Sequence, residues 1–211
     1  DLIRCYGNHS QAYLGWLIKT KLGIPLIVSV HCELEFDRKI LLENTKSFFK
    51  KVFFRFLFYF QTRMESFVNE RADELIAVYK SIQKYLQAHQ GKNINLIYNI
   101  VNKNLVKKED FELHNPVRLI NIGRQGRTYS AKNPTNIILS LKNLSCQLDI
   151  IGQGPLNQRL KEIVRKEGIQ EKVNFIDSLD NSRIAIMLCQ YDILVFQTFT
   201  PELSKCIIEA M

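Results

Sequence analysis

Short apolar runs alternate with helically spaced stretches along this whole chain, and that alternation limits the folds open to it. Leu2 to Tyr6 reads as a strand. His9 to Leu22 reads as a helix, with Ala12, Leu14, Trp16, Leu17 and Leu22 apolar and Gly23 at its end. Pro25 opens the continuous run Leu26 to Val30, whose β-branched content and turn-residue borders predict a strand buried on both faces. Asp37 to Val68 is helical in tendency. Glu74 to Val78 is a strand, Ser81 to Ala88 a helix and Asn95 to Tyr98 a strand.

A polar stretch, Val101 to Pro116, then reads as a connector, and the alternation restarts after it. Strands are expected at Val117–Ile122, Leu148–Ile151, Val173–Ile176 and Ile193–Phe196. Helices are expected at Pro134–Leu141, Leu156–Lys166, Ser182–Cys189 and Leu203–Met211. Repeated strand–helix units imply parallel sheets covered by helices, with right-handed crossovers. The reading is α/β, in two similar halves.

Composition excludes several classes. With 46% hydrophobic and 24% charged residues the chain is neither disordered nor collagenous. No apolar run reaches the ~20 residues of a membrane span. The five cysteines, Cys5, Cys32, Cys146, Cys189 and Cys206, are widely spaced without a CxxC, which fits free thiols in a reducing compartment. The four histidines share no ligand spacing with cysteine or each other, so no metal site is expected. Net charge is +8, made of +5 up to Pro116 and +3 beyond it. The excess fits an anionic partner as well as it fits a mildly basic surface. The chain starts at Asp1 without a methionine and stops inside an expected helix, so it reads as a piece of a longer protein.

In open parallel sheets, ligands bind beyond the carboxyl ends of the strands. The residues expected there are His31, Gly123–Arg124, Gly152–Gln153–Gly154, Asp177 and Thr198 to Ser204. Gly152 and Gly154 follow a strand and open a helix, which permits a tight turn and close approach of a phosphate to backbone N–H groups. Asn157 stands where the dinucleotide fingerprint needs its third glycine, so an NAD site is not supported. Arg124, with Arg127 and Lys132 after it, could neutralise a diphosphate or simply form a solvated basic loop. His31 could carry a proton or donate a hydrogen bond, or be structural. Glu202 and Glu209 bracket the start of the last helix, where amides favour phosphate and a carboxylate can accept from ribose hydroxyls. The plain alternative is that Lys205 and Glu209 form an i,i+4 pair.

Eight aromatic residues crowd positions 48–60 together with Lys50, Lys51 and Arg55. Such a segment could lie on an anionic membrane, or be a core helix with a basic outer face. Stacking on single-stranded nucleic acid has no binding fold to support it here. No P-loop, no GxSxG elbow and no Asp-x-Asp occurs.

Seven stretches, in order, carry a resemblance to a known family: "GIPLIVSVHCE", "ADELIAVYKSIQKYL", "INLIYNIVN", "RLINIGRQGRTYSAKNPTNII", "LDIIGQGPLNQRL", "KVNFIDSLDN" and "YDILVFQTFTPELSKCIIEAM". Together they resemble the family 4 glycosyltransferases of the GT-B fold, which have two Rossmann-like domains with parallel sheets. The resemblance implies an acceptor-side domain over residues 1–102, a linker over 103–116 and a donor domain over 117–211, both domains incomplete. It implies sugar transfer from a nucleotide diphosphate sugar to a glycan or lipid-linked acceptor, with retention at the anomeric carbon and with neither a metal nor another cofactor. A cytoplasmic role in polysaccharide synthesis, peripheral at the inner membrane face, is the matching expectation.

Residue by residue, the resemblance puts Arg124, Lys132 and the backbone of Leu203 and Ser204 on the donor diphosphate. Glu209 falls on the ribose, His31 beside the transferred sugar, and Gly123, Gly152, Gly154 and Ile176 along the nucleotide. Fixed cations and a helix start would stabilise the charge gained by the departing diphosphate. Glu202 and Glu209 stand seven positions apart, one fewer than the family's usual pair, so Glu202 takes the sugar-contacting role only through a shifted loop. Two alternatives stay open: a nucleotide-sugar epimerase of the same fold, and a non-catalytic relative that binds a nucleotide sugar.

Overall fold

A computed structural model describes residues 1–89, 91–101, 108–126, 133–198 and 204–211, without the side chains of Leu34, Phe36 and Asp37. The chain divides into two compact units, Asp1–Ile100 and Val101–Met211.

The first unit runs β1 (Ile3–Tyr6), α1 (Ser10–Leu22), β2 (Leu26–Val30), α2 (Leu34–Asn44), α3 (Phe48–Arg71), β3 (Glu74–Ala77), α4 (Lys80–Ala88) and β4 (Ile94–Leu96). Its four strands are all parallel and lie in sequence order. Each strand is joined to its parallel neighbour through at least one helix. Leu26, Val28 and Val30 of β2 are buried, as are Leu75 and Ala77 of β3. These residues alternate along their strands and so share one face of the sheet, while Ile27, Glu74 and Ile76 on the other face are only half-buried.

The expected helical stretch Asp37–Val68 is two helices, starting earlier and broken at Thr45–Ser47. Thr45 is extended, and its hydroxyl donates back to the Leu41 carbonyl at 2.6 Å. The Ser47 side chain accepts from the Lys50 N–H at 3.5 Å and caps α3. Side chains that compete with the backbone end one helix and start the next. Apolar spacing runs on through the break and conceals it.

The second unit runs β5 (Val117–Ile122), α5 (Thr135–Ser140), β6 (Cys146–Ile151), α6 (Asn157–Glu167), β7 (Val173–Ile176), α7 (Asn181–Leu188), β8 (Ile193–Leu194) and α8 (Lys205–Ala210). The parallel sheet has the order β7-β6-β5-β8. Strand order reverses between β6 and β8 about β5, which makes the carboxyl end of β5 a topological switch point. Leu119, Leu148, Ile150, Leu160 and Val164 share one core on one face, and Ile120, Ile122 and Ile151 another on the opposite face. The expected strand Ile193–Phe196 pairs with β5 only at Ile193 and Leu194, although the Val195 N–H still reaches the Ile120 carbonyl at 2.8 Å.

The stretch read as a connector is tied to the second unit. Asp192 accepts from the backbone N–H groups of Arg118 and His114 at 2.8 and 3.2 Å, and its carboxylate lies 2.7 Å from His114 Nδ1. Lys108 donates to the Tyr191 carbonyl at 2.8 Å. Those backbone bonds to Asp192, against the cost of burial, hold its carboxyl well below the usual range.

Candidate functional site

The site-bearing loops of the second unit leave the carboxyl ends of β5, β6 and β7. Gly123 donates its N–H to the Ile151 carbonyl at 3.0 Å, and Gly152 donates to the Ile176 carbonyl at 3.0 Å. Each bond extends the sheet by one step and places the next loop beside the last. Gln125 then wedges in between. Its side-chain amide donates to the Gly123 carbonyl at 2.9 Å, and its N–H donates to the Gln153 carbonyl at 3.1 Å.

This packing explains the glycines. Gly152 has φ +132°, a conformation L side chains rarely adopt, and a Cβ there would run into the Gly123 carbonyl. A Cβ on Gly154 would run into the backbone of Gln125. Both positions need glycine for close backbone approach, whatever ligand the loops hold.

Beyond these loops opens a cavity of about 560 Å³, lined by Gly123, Arg124, Gly152, Gln153, Gly154 and Ser178 among others. Arg124 is exposed and is the sole charged side chain among the described lining residues. The cavity's apolar floor comes from Ile122, Ile151, Leu179 and Ile184. The structure therefore brings Gly123, Arg124, Gly152 and Gly154 together. Ile176 adjoins them through its bond to Gly152. Its side chain packs on the apolar cluster beneath.

Ser204 is buried at the start of α8 and its carbonyl accepts from the Ile207 N–H at 3.0 Å. Glu209 lies 3.2 Å from Lys205 on the same helix, the i,i+4 pair that its spacing allowed. Neither is among the residues lining this cavity. Arg127, Lys132, Glu202 and Leu203 lie outside the described residues.

In the first unit His31 follows β2. Its carbonyl accepts from the Tyr79 hydroxyl at 2.7 Å, and its ring centroid lies 5.6 Å from that of Tyr6 at the end of β1. Burial, then the nearby Arg4 charge, lowers its pKa, so the imidazole is kept neutral. Its buried Nε2 finds no hydrogen-bond partner among the described residues. A neutral histidine with an unsatisfied ring nitrogen is competent to bond a hydroxyl.

Sequence reasoning missed Gln125, Ser178, Tyr6 and Tyr79. The pair Gln125–Gly126 after a strand carried a faint loop signal, but nothing along the chain marks a tyrosine that fixes a carbonyl 48 positions earlier. It also missed the buried Glu65. Arg38 pairs with both of its oxygens, Tyr85 donates to it at 3.2 Å, and His9 Nδ1 lies 3.4 Å away. Burial raises the Glu65 pKa, but the nearby His9 ring and the paired Arg38 outweigh it and hold the carboxyl below its usual range.

Two parallel α/β units, the second with loops gathered at its carboxyl edge around a cavity, have the architecture of the GT-B class. Residues 106–211 match the family model of glycosyl transferases group 1, and residues 1–105 match that of Glycosyltransferase Family 4. The chain belongs to this family of glycosyl transferases. It is 26% identical over 171 residues to the uncharacterized glycosyltransferase MJ1178 of Methanocaldococcus jannaschii, covering 80% of this chain and 41% of that relative. Sucrose-phosphate synthase from Thermosynechococcus elongatus is similar in structure, with TM-score 0.74 and 15% identity over 99% of this chain and 53% of that one. So is Anabaena Alr3699/HepE in complex with UDP, with TM-score 0.72 and 16% identity over 99% and 57%. At such identities the likeness shows the fold.

Proposed function

We propose that this chain is part of a retaining, metal-independent glycosyltransferase that moves a sugar from a nucleotide diphosphate sugar to a glycan or lipid-linked acceptor. The observation that carries this reading is the glycine-walled cavity beyond β5, β6 and β7, with Arg124 as its one charged side chain among the described lining residues. Its glycine loops let backbone N–H groups approach a diphosphate, and Arg124 supplies a fixed cation for the charge that grows on the leaving group. The complex of Alr3699/HepE with UDP supports a nucleoside diphosphate as the ligand class. On this reading the second unit holds the donor, with Lys132, Leu203, Ser204 and Glu209 completing the site. The first unit supplies the acceptor side, where His31 acts beside the transferred sugar and Glu202 takes the displaced carboxylate's place.

The test is thermal denaturation of the full-length protein with UDP, GDP and ADP, each with and without EDTA. Ligand that binds only the folded state raises its stability with concentration. One nucleotide should raise the melting temperature, and the rise should survive EDTA. A folded protein that none of the three stabilises would overturn the donor site. A rise abolished by EDTA would overturn metal independence.

A further inference from the structure

Helix α3 is apolar on two opposite sides, and only one of them is packed. At about 100° per residue, Phe54, Phe58, Glu65 and Val68 share one arc of the helix. Glu65 and Val68 are buried, and Phe54 stacks on Phe58 at 5.8 Å beneath the guanidinium of Arg38. Phe48, Phe49, Phe53, Phe56, Tyr59 and Phe60 fall within a second arc of about 140°, centred opposite the first. These six are open to solvent, with Phe49 84%, Phe48 73% and Phe56 64% exposed. A contiguous aromatic stripe of this size on a surface marks an interaction site.

Its charges identify the partner. Between Ser47 and Met64 there is no acidic residue, while Lys50, Lys51, Arg55 and Arg63 are all basic. By the same helical spacing Arg55 borders the aromatic arc with Lys51 beyond it on the same side, and Arg63 falls within the arc. The Arg63 guanidinium sits 5.4 Å from the Tyr59 ring, at the inner end of the stripe. A second copy of the chain would bring these same cations against each other across a two-fold contact, which repels. An aromatic stripe flanked by lysine and arginine instead matches the boundary of an anionic bilayer. There the rings enter the acyl region and the long basic side chains reach headgroup phosphates. No described helix is long and apolar enough to cross a membrane, so such a helix would lie in the plane of the surface.

We propose that the first two-thirds of α3, residues 48–63, docks this protein on an anionic lipid surface. The inference deepens the reading above by naming the partner that carries a lipid-linked acceptor, yet lipid binding is read without donor or acceptor. A failure here therefore leaves the nucleotide test untouched, and the reverse holds too.

The experiment is co-sedimentation of the full-length protein with phosphatidylcholine vesicles, with and without about one-third phosphatidylglycerol. Two triple variants are compared with the wild type: Phe49→Ser/Phe53→Ser/Phe56→Ser and Lys50→Glu/Lys51→Glu/Arg55→Glu. All these positions are exposed or half-exposed, and circular dichroism with melting checks that each variant is folded. The wild type should bind the anionic vesicles, and more weakly as salt rises. Each cation near such a surface contributes roughly a factor of five, so charge reversal should weaken binding at least a hundredfold. The serine triple should weaken it at least about tenfold. Vesicle binding that is absent in the wild type, or unchanged in both folded variants, would overturn the proposal. So would a wild-type dimer that ignores vesicles and that the serine triple makes monomeric.

Discussion

Gly154 sits so close to Gln125 that a single added methyl would overlap the Gln125 backbone. The neighbouring Gly152 abuts the Gly123 carbonyl in the same way. The loop after β5 and the loop after β6 are thus one packed unit, and the cavity beyond them has a backbone wall on two sides.

Gly154→Ala and Gly152→Ala should each displace these loops. Because the obstacle is backbone, the neighbour yields only by moving the loop, and the cost is about 1–3 kcal/mol. Thermal melting should drop, and the stabilisation by nucleotide should weaken more than the melting temperature does. Ala at Gly168, whose added Cβ would meet nothing within 4 Å, serves as the comparison. It should cost stability alone, through its φ of +69°, and leave nucleotide binding intact.

Arg124→Ala should separate binding from folding. Arg124 is exposed, so its loss leaves the melting temperature of the free protein nearly unchanged. A charge-assisted bond to phosphate contributes about 1.5–3 kcal/mol, so nucleoside diphosphate should bind roughly tenfold to a hundredfold more weakly. Titration calorimetry reads this directly. Equal affinity in the variant would take Arg124 out of the donor site.

His31 predicts a pH dependence. Its pKa is lowered in the folded protein by burial and then by Arg4. A base with a depressed folded pKa is neutral in both states at high pH. It disfavours folding once the unfolded chain binds the proton first. The stability of the first unit should therefore fall as pH drops below the ordinary histidine range, and His31→Gln should flatten that part of the profile. Under the proposed function the same variant should lower transfer by about a hundredfold or more while nucleotide binding persists.

Arg38→Ala should destabilise the first unit strongly. It strands the buried Glu65 carboxylate with only Tyr85 and His9 near it. Removing one partner of a buried pair costs about 3–5 kcal/mol. Glu65 has a lowered folded pKa, so its contribution is present above the unfolded value and disappears as the solution is acidified through the folded one. The wild type should lose stability in that acidic window, and Arg38→Ala should lose less there because little remains to be lost. Urea denaturation at several pH values measures both.

Much of the fold was legible along the chain. The runs Leu26–Val30 and Val117–Ile122 are strands as read; β5 carries apolar cores on both faces, while the second face of β2 holds the half-buried Ile27 and the buried Ser29. The break at Thr45–Ser47 was not legible, since local side-chain capping decided it while apolar spacing continued. Of the candidate site, Gly123, Arg124, Gly152 and Gly154 were found from their place after strands, and they do meet around one cavity. Glu209 was read as a ribose ligand, with the i,i+4 pair to Lys205 as the plain alternative; the structure shows that pair, which is compatible with either role.

What the sequence determined by itself was periodicity: which segments are strands, which are helices, that they alternate, and hence that the sheets are parallel. Such information is local, a property of neighbours along the chain. What only the tertiary structure decided was proximity between distant positions. It put the Tyr79 hydroxyl on the His31 carbonyl, buried Glu65 under Arg38, and pressed Gly154 on Gln125. It also left one aromatic side of α3 unpacked. A phenylalanine is equally apolar in a core and on a surface, and only the packing of the rest of the chain says which side of the helix stays open to water.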